Sequence, residues 1–350
     1  MVVVGTNVGK GRQTFMRCSL MLGMTTLLLF GSAHADYSER PEVQAYVDEL
    51  VQEHGFARDE LLTLFSDAQR KQSILDAIAR PAERRLKWHE YRDIFVQDTR
   101  INQGLAFWGE NREALAAAEE AYGVPPEYVV AIIGVETRYG RVTGSYRVVD
   151  SLATLAFDYP PRSKFFRGEL TEMLLLAREE RVNPRSLKGS YAGAMGYGQF
   201  IPSSYRAYAV DFDEDGQRDI WENTTDAIGS VANYFKRHGW EPGATVVLPG
   251  SLAASDTSAL DELANKSLNL NQTLGQLRSL GLDVATGPDL GADTKAALFR
   301  MEAEDQIEYW VALKNFYVIT RYNRSRLYAL AVHQLSQAIR ERRDQVPVAL

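Results

Sequence analysis

Residues 124–140 read VPPEYVVAIIGVETRYG, a run that carries both a helix start signal and a helix stop signal. Pro125-Pro126 favours a start, because the first turn of a helix has amide groups without intrahelical partners and proline lacks one. Gly140 favours a stop, since glycine readily ends a helix in a left-handed conformation. The residues between these signals therefore predict a helix over 127–139.

Glu136 is the acidic side chain on the apolar face of this predicted helix. At helical spacing it shares that face with Val129, Ile132 and Ile133. A carboxylate in such surroundings is poorly solvated, so its pKa is expected to rise, as a general acid near neutral pH requires. Arg138 allows a second interpretation, in which Glu136 is a paired charge at a helix end.

Apolar residues at three-and-four spacing predict further helices on both sides of this run. These helices lie within 41–121, 164–180, 227–238 and 325–340. The residues 243–307 are instead rich in Gly, Ser, Ala and Leu with short β-like runs, which predicts a small α+β insert. A chain of 350 residues exceeds one typical core, so two or three subdomains are expected.

Residues 190–205, SYAGAMGYGQFIPSSY, form a glycine-rich stretch with interleaved aromatic residues. The order GxxGxG differs from the dinucleotide fingerprint, and no lysine follows to make a phosphate loop. Glycine lets a ligand approach the backbone, and Tyr197, Phe200 and Tyr205 offer flat, amphipathic faces for a sugar. A tight structural loop with its aromatic residues packed inward explains the pattern equally well.

Residues 211–222, DFDEDGQRDIWE, fit the EF-hand calcium-loop pattern D-x-[DN]-x-[DN]-G-x5-E without a gap. Carboxylates at alternating positions converge on one hard cation, and Gly216 permits the sharp turn between them. Arg218 departs from the pattern, since an apolar β-branched residue is usual at that position. The loop predicts a structural calcium ion, and a solvated acidic loop is the alternative.

Residues 1–35 are typical of an export signal, with basic residues, a short apolar stretch and Ser32-Ala33-His34-Ala35 before Asp36. The single cysteine, Cys18, lies inside the apolar stretch rather than at the cleavage site. Neither a lipid anchor nor a disulfide is therefore expected in the mature chain. This pattern predicts an exported, soluble protein.

Composition and missing motifs exclude several function classes. The net charge of −7 gives no general attraction to nucleic acid, so no nucleic-acid partner is expected. The five histidines include no H-E-x-x-H pattern, which disfavours a zinc peptidase. The absence of a G-x-S-x-G elbow argues against an α/β-hydrolase. One acid on an apolar face together with 17 tyrosines suits a polysaccharide cleft.

Five segments resemble, in the same order, the B-type lytic murein transglycosylases of Gram-negative bacteria. They are GVETRYG (134–140), SYAGAMGYGQFIPSSY (190–205), DFDEDGQRDIW (211–221), DAIGSVANYFKRHGW (226–240) and NFYVITRYNRSRLYA (315–329). The resemblance runs from about Pro41 to the C-terminus. It implies a mainly α (α+β) fold with a lysozyme-like core, a helical domain and a small β-containing domain. Their shared groove is expected to bind peptidoglycan glycan strands.

The resemblance also implies where these parts begin and end. We expect a signal peptide (1–35), a helical domain (36–121, completed by the C-terminal helix, about 322–350), a lysozyme-like catalytic core (122–242, with the calcium loop at 211–226), the small α+β insert (243–307) and a return to the core with the C-terminal helix (308–350).

The resemblance implies that Glu136 is the single catalytic acid and base. By the family mechanism it protonates the oxygen between N-acetylmuramic acid and N-acetylglucosamine. It then takes the proton of the muramic C6 hydroxyl as that oxygen attacks C1, which leaves a 1,6-anhydro end without any catalytic cofactor. The implied substrate-binding residues are Tyr91, Arg162, Ser190, Gln199, Phe200, Tyr234, Tyr322, Asn323 and Tyr328. Arg162 follows Pro161, where the family commonly has a pair of arginines; this departure concerns contacts with the substrate and not the chemistry.

The residue that closes the calcium loop stays open at this point. The first ligands are expected from Asp211, Asp213 and Asp215 and from the backbone carbonyl of Gln217. The linear motif nominates Glu222 as the closing ligand, whereas the resemblance implies a longer loop closed by Asp226.

Two other functions also fit the residues. One is a muramidase that hydrolyses the same bond with a second carboxylate, for which Asp150 and Asp158 are the first suspects; the other is an inactive glycan-binding protein. Peptidoglycan strands are the expected partner, and cell-wall synthesis or division proteins are further candidates. Several family members are lipoproteins, but the signal here ends before Asp36, so a soluble periplasmic enzyme is expected.

Overall fold

Fifteen helices and seven strands make up the described part of the chain, residues 36–79, 86–253, 256–287 and 290–345 of a computed structural model. The predicted mainly α fold class is confirmed. The export signal predicted over 1–35 lies outside the described residues, as do the last five residues of the predicted C-terminal helix. No helix in the described ranges is long and apolar enough to cross a membrane.

The helices fall before and after a stretch that contains most of the strands. They are α1 (Pro41–His54), α2 (Arg58–Asp67), α3 (Gln72–Ile78), α4 (Trp88–Phe95), α5 (Asp98–Glu110), α6 (Arg112–Tyr122), α7 (Pro126–Thr137), α8 (Val148–Asp158), α9 (Ser163–Glu179), α10 (Pro202–Tyr208), α11 (Thr224–Arg237), α12 (Ser258–Leu263), α13 (Leu274–Ser279), α14 (Lys314–Tyr322) and α15 (Arg326–Gln345).

Helix α7 is enclosed by other helices. It packs against α5, α6, α11 and α15, and all of its residues from Pro126 to Gly134 are buried. A helix that is apolar all round is stable only when it is covered on every side. The helix ends at Thr137, two residues earlier than predicted, because Arg138 and Tyr139 both adopt positive φ angles, of 53° and 61°.

The strands form one small ladder and one larger sheet. The ladder joins β1 (Tyr146–Arg147) to β2 (Lys188–Gly189). The sheet has the order β4-β6-β7-β3-β5 and is antiparallel throughout. Its strands are β3 (Val247–Leu252), β4 (Gln272–Thr273), β5 (Leu282–Val284), β6 (Lys295–Glu302) and β7 (Ile307–Ala312).

Strand β6 connects the sheet to the helical core because its two faces are both covered. Leu298 belongs to a small core with α12 and α13, whereas its neighbours Ala297 and Phe299 belong to the main core. The ring of Phe299 lies 5.5 Å from that of Phe316 in α14. Successive residues of a strand point to opposite faces, so one strand supplies both cores. The predicted domain boundaries remain a prediction.

A partly buried tyrosine–histidine pair joins α7 to α15. The Nδ1 atom of His333 lies 2.9 Å from the hydroxyl oxygen of Tyr128. Burial lowers the pKa of His333 from 6.5 to about 4. Between those pH values the folded chain keeps the imidazole neutral, while the unfolded chain binds a proton. The stability that this residue contributes is therefore complete above pH 6.5 and is lost as the pH falls towards 4.

We expect the free energy of unfolding to fall more steeply in the wild type than in His333→Gln between about pH 7 and pH 5. The depressed pKa predicts a full loss of about 3 kcal/mol once the histidine is protonated. Urea unfolding at several pH values measures the two slopes. His54→Gln, at the end of α1, is the matched control for the replacement of a histidine by glutamine. Equal slopes for all three proteins would contradict the assignment.

Candidate active site

Glu136 lies in the last turn of α7 and accepts a hydrogen bond from a distant tyrosine. The hydroxyl of Tyr328 in α15 donates to Oε1 of Glu136 at 2.5 Å. Tyr328 is buried and Glu136 is partly exposed. The hydrogen bond joins a fixed, buried donor to a carboxyl group that solvent and ligands can reach. This arrangement fixes the orientation of the carboxyl group.

The chain directly after Glu136 is held by a second tyrosine. The hydroxyl of Tyr139 donates to the backbone oxygen of Arg100 at 3.0 Å, and the Arg100 guanidinium donates to the backbone oxygen of Gly134 at 2.5 Å. These two bonds close a loop between α5 and the end of α7. Sequence reasoning did not single out Arg100 or Tyr139. The one sequence feature that pointed to Tyr139 is its position directly before Gly140, the predicted end of the helix. No sequence feature pointed to Arg100.

Two phenols near Glu136 remain protonated. Burial, and then the negative charge of Glu136, raise the pKa of Tyr322 and of Tyr328 well above the ordinary value of 10.0. The hydroxyl of Tyr322 donates to the backbone oxygen of Gly198 at 2.6 Å. Both groups therefore act as hydrogen-bond donors at neutral pH. Tyr91 of α4 is also close enough to affect the pKa of Tyr328.

Phe200, Tyr234 and Tyr322 form an aromatic cluster beside these phenols. The ring of Tyr322 lies 5.9 Å from that of Phe200 and 4.7 Å from that of Tyr234. The hydroxyl of Tyr234 donates to the backbone oxygen of Arg321 at 2.6 Å. Phe200 is 2% exposed and Tyr234 is 7% exposed. Both side chains therefore pack against Tyr322 from the interior of the protein rather than facing the solvent.

Ser190 and Gln199 shape the glycine-rich loop. The Ser190 hydroxyl oxygen accepts from the backbone amide of Ala194 at 3.1 Å. Gln199 has a positive φ of 49°, and its side-chain amide donates to the backbone oxygen of Thr143 at 3.0 Å. The loop is thereby tied to the segment that follows α7. Both side chains form hydrogen bonds within the protein, and both lie in residues 190–205, which were predicted to line the site.

Asn323 and Arg162 complete the predicted set but differ in position. Asn323 directly follows α14 and is partly exposed beside Tyr322. Arg162 is exposed, and its guanidinium packs over the rings of Phe165 and Phe166 at 4.2 Å and 5.0 Å. These contacts connect Arg162 to the start of α9 rather than to Glu136.

The acidic loop brings three carboxylates together. Oxygens of Asp211, Asp213 and Asp226 lie within 4.8 Å of one another. Asp226 is fully buried in the first turn of α11 and accepts from the backbone amides of Phe212 and Asp219 at 2.7 Å and 2.8 Å. Burial raises the pKa of this carboxyl group. The cluster joins the loop to α11.

The other predicted loop ligands lie outside this cluster of carboxylates. Asp215 accepts from the backbone amide of Gln217 at 2.9 Å, and Glu222 is exposed. Between Glu222 and Asp226, the side chain of Asn223 caps α11 and also donates to Asp213 at 2.8 Å. Sequence reasoning missed Asn223, although asparagine is a common residue at a helix start.

Similarity to known proteins covers nearly the whole described chain. Residues 38–337 match the family model for the transglycosylase SLT domain. Over 313 residues the chain is 44% identical to membrane-bound lytic murein transglycosylase B of Escherichia coli, with 87% of this chain and 84% of the relative covered.

Solved structures give the same result. Soluble lytic transglycosylase SltB1 from Pseudomonas aeruginosa is 55% identical, with a TM-score of 0.82 over 87% of this chain and 100% of that one. Escherichia coli Slt35 in complex with calcium is 43% identical, with a TM-score of 0.79 over 89% and 96% of the two chains. SltB3 from Pseudomonas aeruginosa in complex with NAG-NAM-pentapeptide is 30% identical, with a TM-score of 0.73 over 85% and 79%. The resemblance to lytic murein transglycosylases is therefore confirmed, and the chain belongs to the transglycosylase SLT domain family.

Proposed function

We propose that this protein is a lytic murein transglycosylase, a lyase that cleaves the bond between N-acetylmuramic acid and N-acetylglucosamine in peptidoglycan. The observation that carries the proposal is the Glu136 carboxyl group, oriented by Tyr328 and backed by a wall of aromatic side chains. Carbohydrate rings pack on aromatic faces of this kind, while the two phenols donate their single protons inside the protein, to Glu136 and to the backbone oxygen of Gly198. The relatives are named as lytic transglycosylases.

The reaction needs one group that first gives and then accepts a proton. Glu136 donates its proton to the glycosidic oxygen, and the bond between that oxygen and C1 of the muramic residue breaks. The C6 hydroxyl oxygen of the same residue then attacks C1, and its proton returns to Glu136. The products are a free hydroxyl on the leaving sugar and a 1,6-anhydromuramic end. No water is added, so no second carboxylate is required, unlike ordinary glycosidases.

The two acids considered for a hydrolytic mechanism are occupied in other contacts. Asp150 is buried and bonded to the guanidinium of Arg147 at 2.7 Å. Asp158 accepts from the hydroxyl of Tyr37 at 2.6 Å and from Arg40 at 3.0 Å. A carboxylate that activates water must be available to that water. These partners favour the non-hydrolytic mechanism.

Mass spectrometry of the muropeptides released from purified sacculi tests the proposal. We expect products one water lighter than hydrolysis products, which borohydride does not reduce because the anhydro ring has no reducing end. Reducible muramic ends would overturn the lyase mechanism and indicate hydrolysis. If no soluble product is released while the protein stays bound to the sacculi, the protein is a glycan-binding protein instead.

We propose in addition that Asp211, Asp213 and Asp226 hold a structural calcium ion. Calcium binds oxygen ligands at about 2.3–2.6 Å, so ligands on opposite sides of the ion are at most about 5 Å apart. The observed separation of up to 4.8 Å fits this limit. The ion would offset the mutual repulsion of the three carboxylates and hold the loop against α11. Asp226, rather than Glu222, is the proposed closing ligand, and Asp215 and Gln217 remain candidates for the remaining positions.

Calcium is expected to raise the melting temperature, and a chelator to lower it without unfolding the protein. For a weak site with a Kd of about 10⁻⁴–10⁻³ M, calcium at roughly 10 mM adds about 1.4–2.7 kcal/mol. Differential scanning fluorimetry measures the shift, with magnesium as the ionic control. Asp213→Asn should abolish the response, whereas Glu222→Gln should keep it. A melting curve indifferent to both chelator and calcium would contradict the site.

We infer that the enzyme acts in the periplasm, where its substrate lies. The inference rests on the export pattern in residues 1–35. Cell-wall synthesis or division proteins are proposed partners at that location.

A further inference from the structure

A polar cavity of about 670 Å³ lies between the segment that precedes β4 and the start of α15. Its lining comes from residues 265–268 between α12 and β4, from residues 324–327 at the start of α15, and from Leu86 and Phe299. Ligand pockets in proteins commonly have volumes of ~300–1,000 Å³, so the cavity is large enough for a small polar group and its neighbours.

The charges of this cavity all have one sign. Lys266, Arg324 and Arg326 line it, and its lining includes no aspartate or glutamate among the described residues. None of these three side chains forms an ion pair with another residue that the structure describes. Other arginines are paired, as Arg206 is with Glu172 and Glu179. Three unpaired cations in a chain of net charge −7 form a local positive site for an anion.

Arg326 shows that this positive charge lacks a partner inside the protein. Its Nε atom is buried and has no hydrogen-bond acceptor. A buried donor without an acceptor costs free energy, since it has lost its water. An anion in the cavity would lower that cost. The first amide groups of α15 add a positive end of a helix dipole at the same position.

The cavity is connected to Glu136 through two residues. The hydroxyl oxygen of Ser325, which lines the cavity, accepts from the backbone amide of Tyr328 at 3.3 Å. The side chain of Tyr328 donates to Glu136. The first turn of α15 therefore contributes both to the cavity and, through Tyr328, to the proposed active site.

We propose that the cationic cavity binds the carboxylate groups of the peptide stem that the glycan carries. The proposal rests on the proposed function and adds a preference for substrates that bear such a peptide. SltB3 was solved with NAG-NAM-pentapeptide, and a pentapeptide ends in a carboxylate. Guanidinium groups bind carboxylates with two parallel hydrogen bonds, and the lysine adds a point charge. Anchoring the peptide would hold the sugar chain in register with Glu136.

The test compares the double variant Lys266→Gln/Arg324→Gln with the wild type on two substrates. Both side chains are exposed, so the substitutions should not affect folding. The substrates are glycan strands with intact stems and the same strands after enzymatic removal of the peptides. The control Arg112→Gln/Lys236→Gln removes two exposed positive charges outside the cavity. Melting temperatures verify that all proteins are folded.

We expect kcat/KM on the peptide-bearing strands to fall about tenfold in the double variant, through a higher KM. Cleavage of the peptide-free strands should stay unchanged, and the control should behave as the wild type on both. Amidation of the stem carboxylates, or raised ionic strength, should remove the wild-type preference. An equal loss on both substrates, or no loss on either, would overturn the proposal.

A binding measurement tests the proposal for the cavity independently of the proposed catalytic function. Calorimetry with NAG-NAM-pentapeptide measures affinity without requiring turnover. If the wild type cleaves neither substrate, the proposed function fails, yet weaker binding by the double variant would still support the cavity. Equal affinity of wild type and variant for this ligand would overturn it.

Discussion

Replacing Glu136 by glutamine is expected to lower the rate of product release from sacculi by about 10³–10⁴-fold. A positioned acid or base contributes roughly 10²–10⁴-fold, and here one carboxyl group performs both steps. Glutamine keeps an oxygen that can accept from the Tyr328 hydroxyl, so the local hydrogen bond is preserved. The loss should therefore appear in kcat, with KM and the melting temperature near their wild-type values. Quantification of the anhydromuropeptides measures the rate.

Glu127→Gln is the matched control for this substitution. Glu127 lies in the first turn of the same helix α7 and faces Arg340 at 3.5 Å, far along the helix from the proposed chemistry. The same chemical change at this position should leave activity within about twofold, since it removes one ion pair, between the buried Glu127 and the exposed Arg340, at the opposite end of the helix from Glu136. Near-wild-type activity of Glu136→Gln would refute the assignment. A comparable loss in both variants would show that the effect comes from helix α7 rather than from the carboxyl group.

The location of the acid could be predicted from the sequence, but its partner could not. The start signal, the apolar residues and the stop signal of 124–140 are local, so they place Glu136 near the end of a buried helix. Tyr328 is 192 residues away along the chain. Periodicity contains no information about which distant helix packs on which, so only the resemblance pointed to Tyr328. The unpaired charges of the cationic cavity come from two segments that are far apart along the chain, and they were missed for the same reason.

The acidic loop shows a different limit of sequence reasoning. The linear motif counts twelve residues and ends at Glu222. In the folded chain, Asp219 accepts from the backbone amides of Trp221 and Glu222 at 2.8 Å and 3.0 Å, which forms a turn at that point. Helix α11 begins only after this turn, and its first turn presents Asp226 to the loop. Spacing along the chain cannot predict an inserted turn, whereas the structure shows it directly.

Gly134→Ala should both destabilise the protein and reduce its activity, although alanine is the better helix former. A Cβ atom at residue 134 would lie 2.5 Å from the hydroxyl oxygen of Tyr139 and 2.6 Å from Cζ of that ring. The ring cannot easily move, because it is buried and its hydroxyl is bonded to the backbone of Arg100. Overpacking of this kind costs about 1–3 kcal/mol, and the gain in helix propensity offsets at most about 1 kcal/mol.

The activity loss should exceed what the lower stability explains. The residues that must shift, Gly134 and Tyr139, flank Glu136 on both sides, so the carboxyl group moves with them. A displacement of about 1 Å at a catalytic group lowers rates roughly 100-fold.

Gly168→Ala in α9 is the matched control, since a Cβ there meets nothing within 4 Å. It should raise the free energy of unfolding by about 0.5–1 kcal/mol and leave activity unchanged. Urea unfolding and product release measured on the same preparations compare the two variants. If Gly134→Ala were as stable and as active as Gly168→Ala, then Tyr139 would not hold the end of α7, and the orientation of Glu136 would depend on Tyr328 alone.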